Sequence, residues 1–192
     1  NRCEQGRTII IAAISIRIRG QVQGVGFRPF VYNLACRLGL KGSVANAASG
    51  VEIFAQGPAS DLLLFQQLLE QEQPPMSLIE AVQAEPAAPQ HLSGFRIVAS
   101  RQGDLQVAAT PDAAVCPDCL HELFDAGDRR YLYPFINCAN CGPRYSIIRA
   151  LPYDRHLTTM ADFDLCPTCH NEYSDPADRR FHAQPNACSV CG

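Results

Sequence analysis

The chain has 192 residues, 47% of them hydrophobic and 18% charged, with a formal net charge of −3. That length and composition fit one or two globular domains, and the lack of any run of about 18 apolar residues excludes a transmembrane helix. Residues 1–100 carry eight Arg or Lys against seven Asp or Glu, and residues 101–192 carry eight against twelve, so neither half offers the basic stripe of a nucleic-acid coat.

The sequence opens at Asn1 rather than Met and closes on CSVCG, which leads us to expect a piece of a longer chain. Cys3 falls in a polar start. IIIAAISI (9–16) runs into an alternation of Ile14, Ile16 and Ile18 with Ser15, Arg17 and Arg19; this predicts a half-buried strand ending at Gly20, not a signal peptide. Phe27, Phe30, Val31, Leu34, Ala35 and Leu38 then follow helical spacing, with Pro29 in the first turn and Gly39 at the end. Cys36 on this helix is expected to be a small buried side chain.

GSVANA (42–47) and GVEIFAQG (50–57) read as two strands joined through Ser49 and Gly50. Pro58 opens a second helix whose Leu62, Phe65 and Leu69 share a face, and Ser77–Glu85 and Phe95–Ser100 supply further strands. The order βαββαβ, plus one short strand, predicts an α+β ferredoxin-like sandwich over residues 12–100. Residues 101–115 lack periodicity and read as a linker.

Beyond the linker, residues 116–192 carry an internal repeat. CPDCLHELFDAGDRRYLYPFINCANCG (116–142) and CPTCHNEYSDPADRRFHAQPNACSVCG (166–192) lie 50 residues apart and share the spacing C-x2-C-x18-C-x2-C. Cysteines paired in this way point to a thiolate-bound metal, most readily zinc, in a reducing, cytoplasmic setting rather than to disulfides. If each repeat closes its own site, Cys116, Cys119, Cys138 and Cys141 hold one Zn²⁺ and Cys166, Cys169, Cys188 and Cys191 the other. The duplication favours this local pairing, and a nested scheme joining the outer pairs and the inner pairs is the alternative that spacing alone does not exclude.

Four thiolates leave no open position, so the metal is expected to be structural and to supply much of each module's folding free energy. His121, His156, His170 and His182 do not match between repeats and read as surface residues. Asp128-Arg129-Arg130 and Asp178-Arg179-Arg180 read as internal ion pairs or turn supports. Two zinc–thiolate centres would add negative charge to an already acidic half, which again disfavours nucleic acid.

The remaining feature is GQVQGVGFR (20–28). Backbone N–H groups of Gln23, Gly24, Val25, Gly26 and Phe27 can converge on an anion at a helix N-terminus, and Arg28 offers a planar fork matched to phosphate oxygens. Together with GSVANAASGVE (42–52), this stretch resembles the acylphosphatase signature over roughly residues 12–100. The resemblance implies that Arg28 binds an acyl phosphate and that Asn46 orients the attacking water. Ser49 stands where that family often has Asp, a difference confined to the turn.

Paired CPxC…DRR…CxxCG modules following such a domain, with FINCANCGPRYSI (135–147) and YDRHLTTMADFDLCPTC (153–169), are similar to the HypF-type carbamoyltransferase family of hydrogenase maturation factors. That resemblance implies hydrolysis of carbamoyl phosphate in the first domain. Downstream domains would use ATP to pass the carbamoyl group to a cysteine of a HypE-type acceptor, toward a cyanide ligand of a nickel–iron centre. Neither site motif contains His or Asp, and Glu52 lies beyond the turn, so the substrate's own phosphate is the expected proton acceptor. The alternative is a non-catalytic module that captures carbamoyl phosphate and docks neighbouring domains.

Overall fold

The alternation Ile16, Ile18 inward against Arg17, Arg19 outward is seen in β1 (Ile11–Gln21), which pairs antiparallel with two neighbours. The computed structural model describes residues 11–47, 50–99, 112–151 and 153–192. Cys3, Ser49, Ser100 and most of the expected linker lie outside them. In chain order the first half continues with α1 (Phe27–Arg37), β2 (Lys41–Ala47), β3 (Gly50–Pro58), α2 (Ala59–Gln71), β4 (Leu78–Ala87) and β5 (Phe95–Ile97). The sheet order is β4-β1-β3-β2-β5, with β5 parallel to β2 and every other pairing antiparallel. This is the expected ferredoxin-like arrangement with one short added strand.

Both helices cover one face of the sheet, and Ile16, Ile18, Val31, Val44, Ile53 and Phe65 are central to the core between them. The α1 helix stops where Gly39 takes the left-handed conformation (φ +64°) and Leu40 N–H returns to Ala35 O at 2.9 Å. Cys36 is exposed, contrary to expectation. The inward stripe of α1 runs through Phe27, Val31, Leu34 and Ala35, and the next residue along turns outward. The last strand is also shorter than expected, because its ladder ends where Val98 N–H meets Val44 O.

The second half has little regular structure. Two eight-residue helices, α3 (Pro117–Phe124) and α4 (Pro167–Ser174), begin at equivalent points of the two repeats, each with proline at its first position. Leu132 and His182, fifty residues apart, both adopt φ +53°, so the repeats share an unusual turn as well as their cysteines. Short 3-10 turns fill the segment between the repeats. Among the described residues, no helix is long and apolar enough to cross a membrane.

Candidate active site and metal centres

The glycine loop is built by backbone conformation. Gly24 and Gly26 sit at φ +72° and +76°, where a side chain would be strained, and Gly26 caps α1 with no acidic residue in the helix's first turn. The positive end of the helix dipole is thus left for an outside anion. Gln23 pins the loop to the neighbouring hairpin, donating through Nε2 to Ala47 O and Gly50 O at 2.9 Å each. Val25 is wholly buried in the core, which leaves only its main chain for a ligand.

Next to Ala47, Asn46 has 0% exposure, and neither its Oδ1 nor its Nδ2 has a hydrogen-bond partner. Leaving a buried amide unpaired costs about 1–3 kcal/mol per group, and such a cost in a folded chain marks a place reserved for a ligand or a water.

Arg28 is buried too, but it is not alone. Its Nη2 donates to Asp154 Oδ1 at 2.8 Å, with the two side chains only 9% and 13% exposed. Asp154 belongs to the segment between the repeats, 126 residues away in sequence. That segment is held rigidly on either side. Tyr153 is 3% exposed and its hydroxyl accepts Arg144 N–H at 3.1 Å; burial pushes its phenol up to about 12. Arg155 donates to Gln184 O, Asn186 O and Phe163 O at 2.8–2.9 Å.

The second half also covers the loop. A Cβ on Gly24 would lie 2.7 Å from Pro143 and 2.9 Å from the Tyr153 ring, and one on Gly26 would lie 3.2 Å from Ala139. Between these walls is a cavity of about 20 Å³ lined by Gly24, Gly26, Phe27 and Arg28 on one side and by Tyr153 and His182 on the other. Arg28 also borders a larger groove of about 730 Å³, shared with Asp154, Tyr173 and His182.

In the repeats, each set of four sulfurs gathers within 4.8 Å: Cys116, Cys119, Cys138 and Cys141 in one, Cys166, Cys169, Cys188 and Cys191 in the other. The sulfurs therefore group within each repeat and not across the repeats. Neighbouring sulfurs stand 3.6–3.9 Å apart. A tetrahedron with metal–sulfur bonds of about 2.3 Å has edges of about 3.8 Å, so both clusters fit a tetrahedral zinc.

The arginines of the repeats cross over. Arg129 donates to Cys169 and Cys188 of the opposite cluster at 3.2 and 3.1 Å, and to Glu172 at 2.8 Å. Arg179 answers with Cys119 at 3.1 Å and Glu122 at 2.5 Å. Behind them Arg130, 2% exposed, binds Glu172 and Asn186, while Arg180 binds Glu122 and the Asn137 carbonyl. Burial raises the Glu122 and Glu172 carboxyls, but the paired arginines outweigh it and hold both below the usual carboxylate range. Asp128 and Asp178 serve the turns, each accepting from the main chain of the following second residue at 2.7 Å.

A family model for acylphosphatase matches residues 14–97, and one for the HypF finger matches residues 115–148 and 165–192. The carbamoyltransferase HypF of Rhodobacter capsulatus is 53% identical over 178 residues, which are 92% of this chain and 24% of the relative. The crystal structure of full-length HypF in the phosphate- and nucleotide-bound form aligns at 49% identity with a TM-score of 0.92, covering 98% of this chain and 25% of that one.

The chain belongs to the HypF family.

Its first domain is at the same time a member of the acylphosphatase family: the acylphosphatase of Pseudothermotoga lettingae is 42% identical over 87 residues, 45% of this chain and 97% of that protein. The chain spans about a quarter or less of the length of the HypF relatives it matches.

Within this HypF segment the residues singled out from sequence do not all meet. Gly24, Gly26, Phe27 and Arg28 border one cavity, Gln23 braces the hairpin behind it, and Asn46 lies on that hairpin without forming the cavity wall. Sequence reading missed Asp154 and Tyr153, since nothing local in YDRHL marks a partner for Arg28. It also placed His182 on the surface. His182 is half-buried, with ring contacts to Tyr173 and Phe181 at 5.1 and 4.6 Å, and desolvation, helped by the Arg28 charge, lowers its imidazole to about 4. His121, His156 and His170 are exposed as expected.

Proposed function

We propose that the first domain hydrolyses carbamoyl phosphate, within a longer HypF protein that passes the carbamoyl group on for hydrogenase maturation. The observation that carries this reading is the pairing of an anion-ready loop and Arg28 with a fully buried, unpartnered Asn46 on the adjoining hairpin. The amides of residues 23–27 and the Arg28 guanidinium hold the phosphate and meet the charge that grows on it in the transition state. Asn46 both donates and accepts, so it orients a water without ionising it. Water adds, the acyl–phosphate bond breaks, and carbamate and inorganic phosphate remain; the substrate phosphate takes the water's proton.

The two thiol clusters each hold one zinc, which when bound supplies structural cross-linking and no reaction step. In the longer protein, further domains would use ATP and deliver the carbamoyl group to a HypE-type acceptor in the cytoplasm. Steady-state hydrolysis tests the division of labour. Arg28→Ala raises KM and lowers kcat, whereas Asn46→Ala lowers kcat by about 10²-fold with KM little changed. An Asn46→Ala chain that keeps its kcat and loses only affinity removes the water-positioning role, and tight binding without turnover in the wild type reduces the domain to a capture module.

A further inference from the structure

Resting on the reading that each thiol cluster holds one zinc, we propose that the two sites load as a unit: zinc in either cluster raises the affinity of the other, and the crossed arginines carry the coupling. Arg129 Nη2 stands 3.5, 3.2 and 3.1 Å from the sulfurs of Cys166, Cys169 and Cys188. Arg179 Nη1 stands 3.7 and 3.1 Å from those of Cys116 and Cys119. Each cation thus comes from one repeat and serves the thiolates of the other.

The position of each arginine depends on its own repeat. Arg129 and Arg130 fall within the eighteen residues between Cys119 and Cys138, and Arg179 and Arg180 within the eighteen between Cys169 and Cys188. These turns are tied back to the helix that begins at the first cysteine pair: Leu132 N–H donates to Leu123 O at 2.9 Å, and His182 N–H to Tyr173 O at 3.0 Å. Spacers this short build no core of their own, so metal held by the flanking cysteines supplies much of their order. Zinc in one cluster therefore sets the turn that delivers a cation to the other.

The delivery is more than a point charge. Arg130 Nε donates to Ala187 O at 2.9 Å and Arg180 Nε to Asn137 O at 3.1 Å, and these carbonyls directly precede Cys188 and Cys138. Glu172 and Glu122, about one helical turn beyond Cys169 and Cys119, receive the same two arginine pairs. Each pair thus grips both cysteine-bearing segments of the opposite repeat. A filled cluster of one zinc and four thiolates carries a net charge of roughly −2, so two such centres by themselves oppose each other's filling. The guanidiniums bound to the sulfurs reverse that sign. By linkage the effect is reciprocal, each site strengthening the other by the same factor.

The test titrates zinc into the reduced, metal-free chain with a zinc-buffering chelator present. Native mass spectrometry then counts molecules holding no zinc, one zinc and two. At half-loading, independent sites leave about half of the molecules or more with a single zinc, whereas a coupling of roughly 5–150-fold cuts that share to about a third or less. The wild type is expected to show the smaller share, and the Arg129→Gln, Arg179→Gln double variant to return it to about half or more. Arginines that only neutralised thiolates site by site would weaken both sites and leave the share unchanged by the substitutions, and that result overturns the proposal. So does a wild-type share of about half or more, which decides the matter even where the double variant fails to fold. A chain that takes up no zinc contradicts the metal reading itself.

Discussion

Arg28 of the first helix and Asp154 of the segment between the cysteine repeats form a 2.8 Å ion pair in which both side chains are largely shielded from water. The pair joins the two halves of the chain beside the glycine loop, where the proposed function puts the substrate's phosphate. Tyr32 and Phe181 pack nearby at a tilt with ring centres 5.5 Å apart, and Asn33 donates to Pro176 O at 2.9 Å, so α1 also meets the second repeat beyond Arg28. The second half of the chain therefore walls the cavity under the glycine loop as well as gathering the two thiol clusters.

That wall can be dislodged from the loop side. Gly24→Ala brings a Cβ within 2.7 Å of Pro143 and imposes φ +72° on a residue that resists it. Strain of this kind costs about 1–3 kcal/mol. The expected outcome is a thermal midpoint lowered by several degrees together with weaker phosphate binding, read by calorimetry. Unchanged phosphate affinity would show that the wall does not shape the loop.

The crossed arginines make an unusual demand on metal retention. Arg129→Gln removes a positive charge from the cluster of Cys166–Cys191, not from the cluster in its own repeat. On addition of chelator, one of two zinc equivalents should leave at least several-fold faster than in the wild type. Alkylation mapped by mass spectrometry should then label Cys166, Cys169, Cys188 and Cys191 first. Earlier labelling of Cys116–Cys141 would contradict the crossed arrangement.

His182 gives a pH signature. Its imidazole falls from about 6.5 in an unfolded chain to about 4 in the fold, through desolvation first and the nearby Arg28 second, with Asp154 opposing. The unfolded state thus binds the extra proton between these values, and the contribution of His182 is complete above about pH 6.5 and lost as pH falls toward 4. His182→Asn, which tolerates the positive φ, should make urea-unfolding stability less pH-dependent than the wild type across that window. Parallel curves for the two proteins would remove this contribution.

The first half was legible in the sequence because its signals are local. Alternation in β1, helical spacing from Phe27 and the glycines before Arg28 each act over a few residues, and the sheet order follows from them. The cysteine spacing likewise named eight thiols, though it left open how they group, since only the folded turns bring each repeat's sulfurs together. What stayed hidden was long-range. The partner of Arg28 lies 126 residues away, and Arg129 and Arg130 find their acids in the other repeat rather than in the adjacent Asp128. Cys36 was misjudged because helical spacing there had two faces to choose from and its neighbours Leu34 and Ala35 took the inner one.

The most direct measurement is release of phosphate from carbamoyl phosphate by the zinc-loaded chain beside its Arg28→Ala variant. The account predicts release above the spontaneous rate, falling by about 10²-fold or more in the variant. Equal release by the two proteins, or none from the wild type, would contradict it.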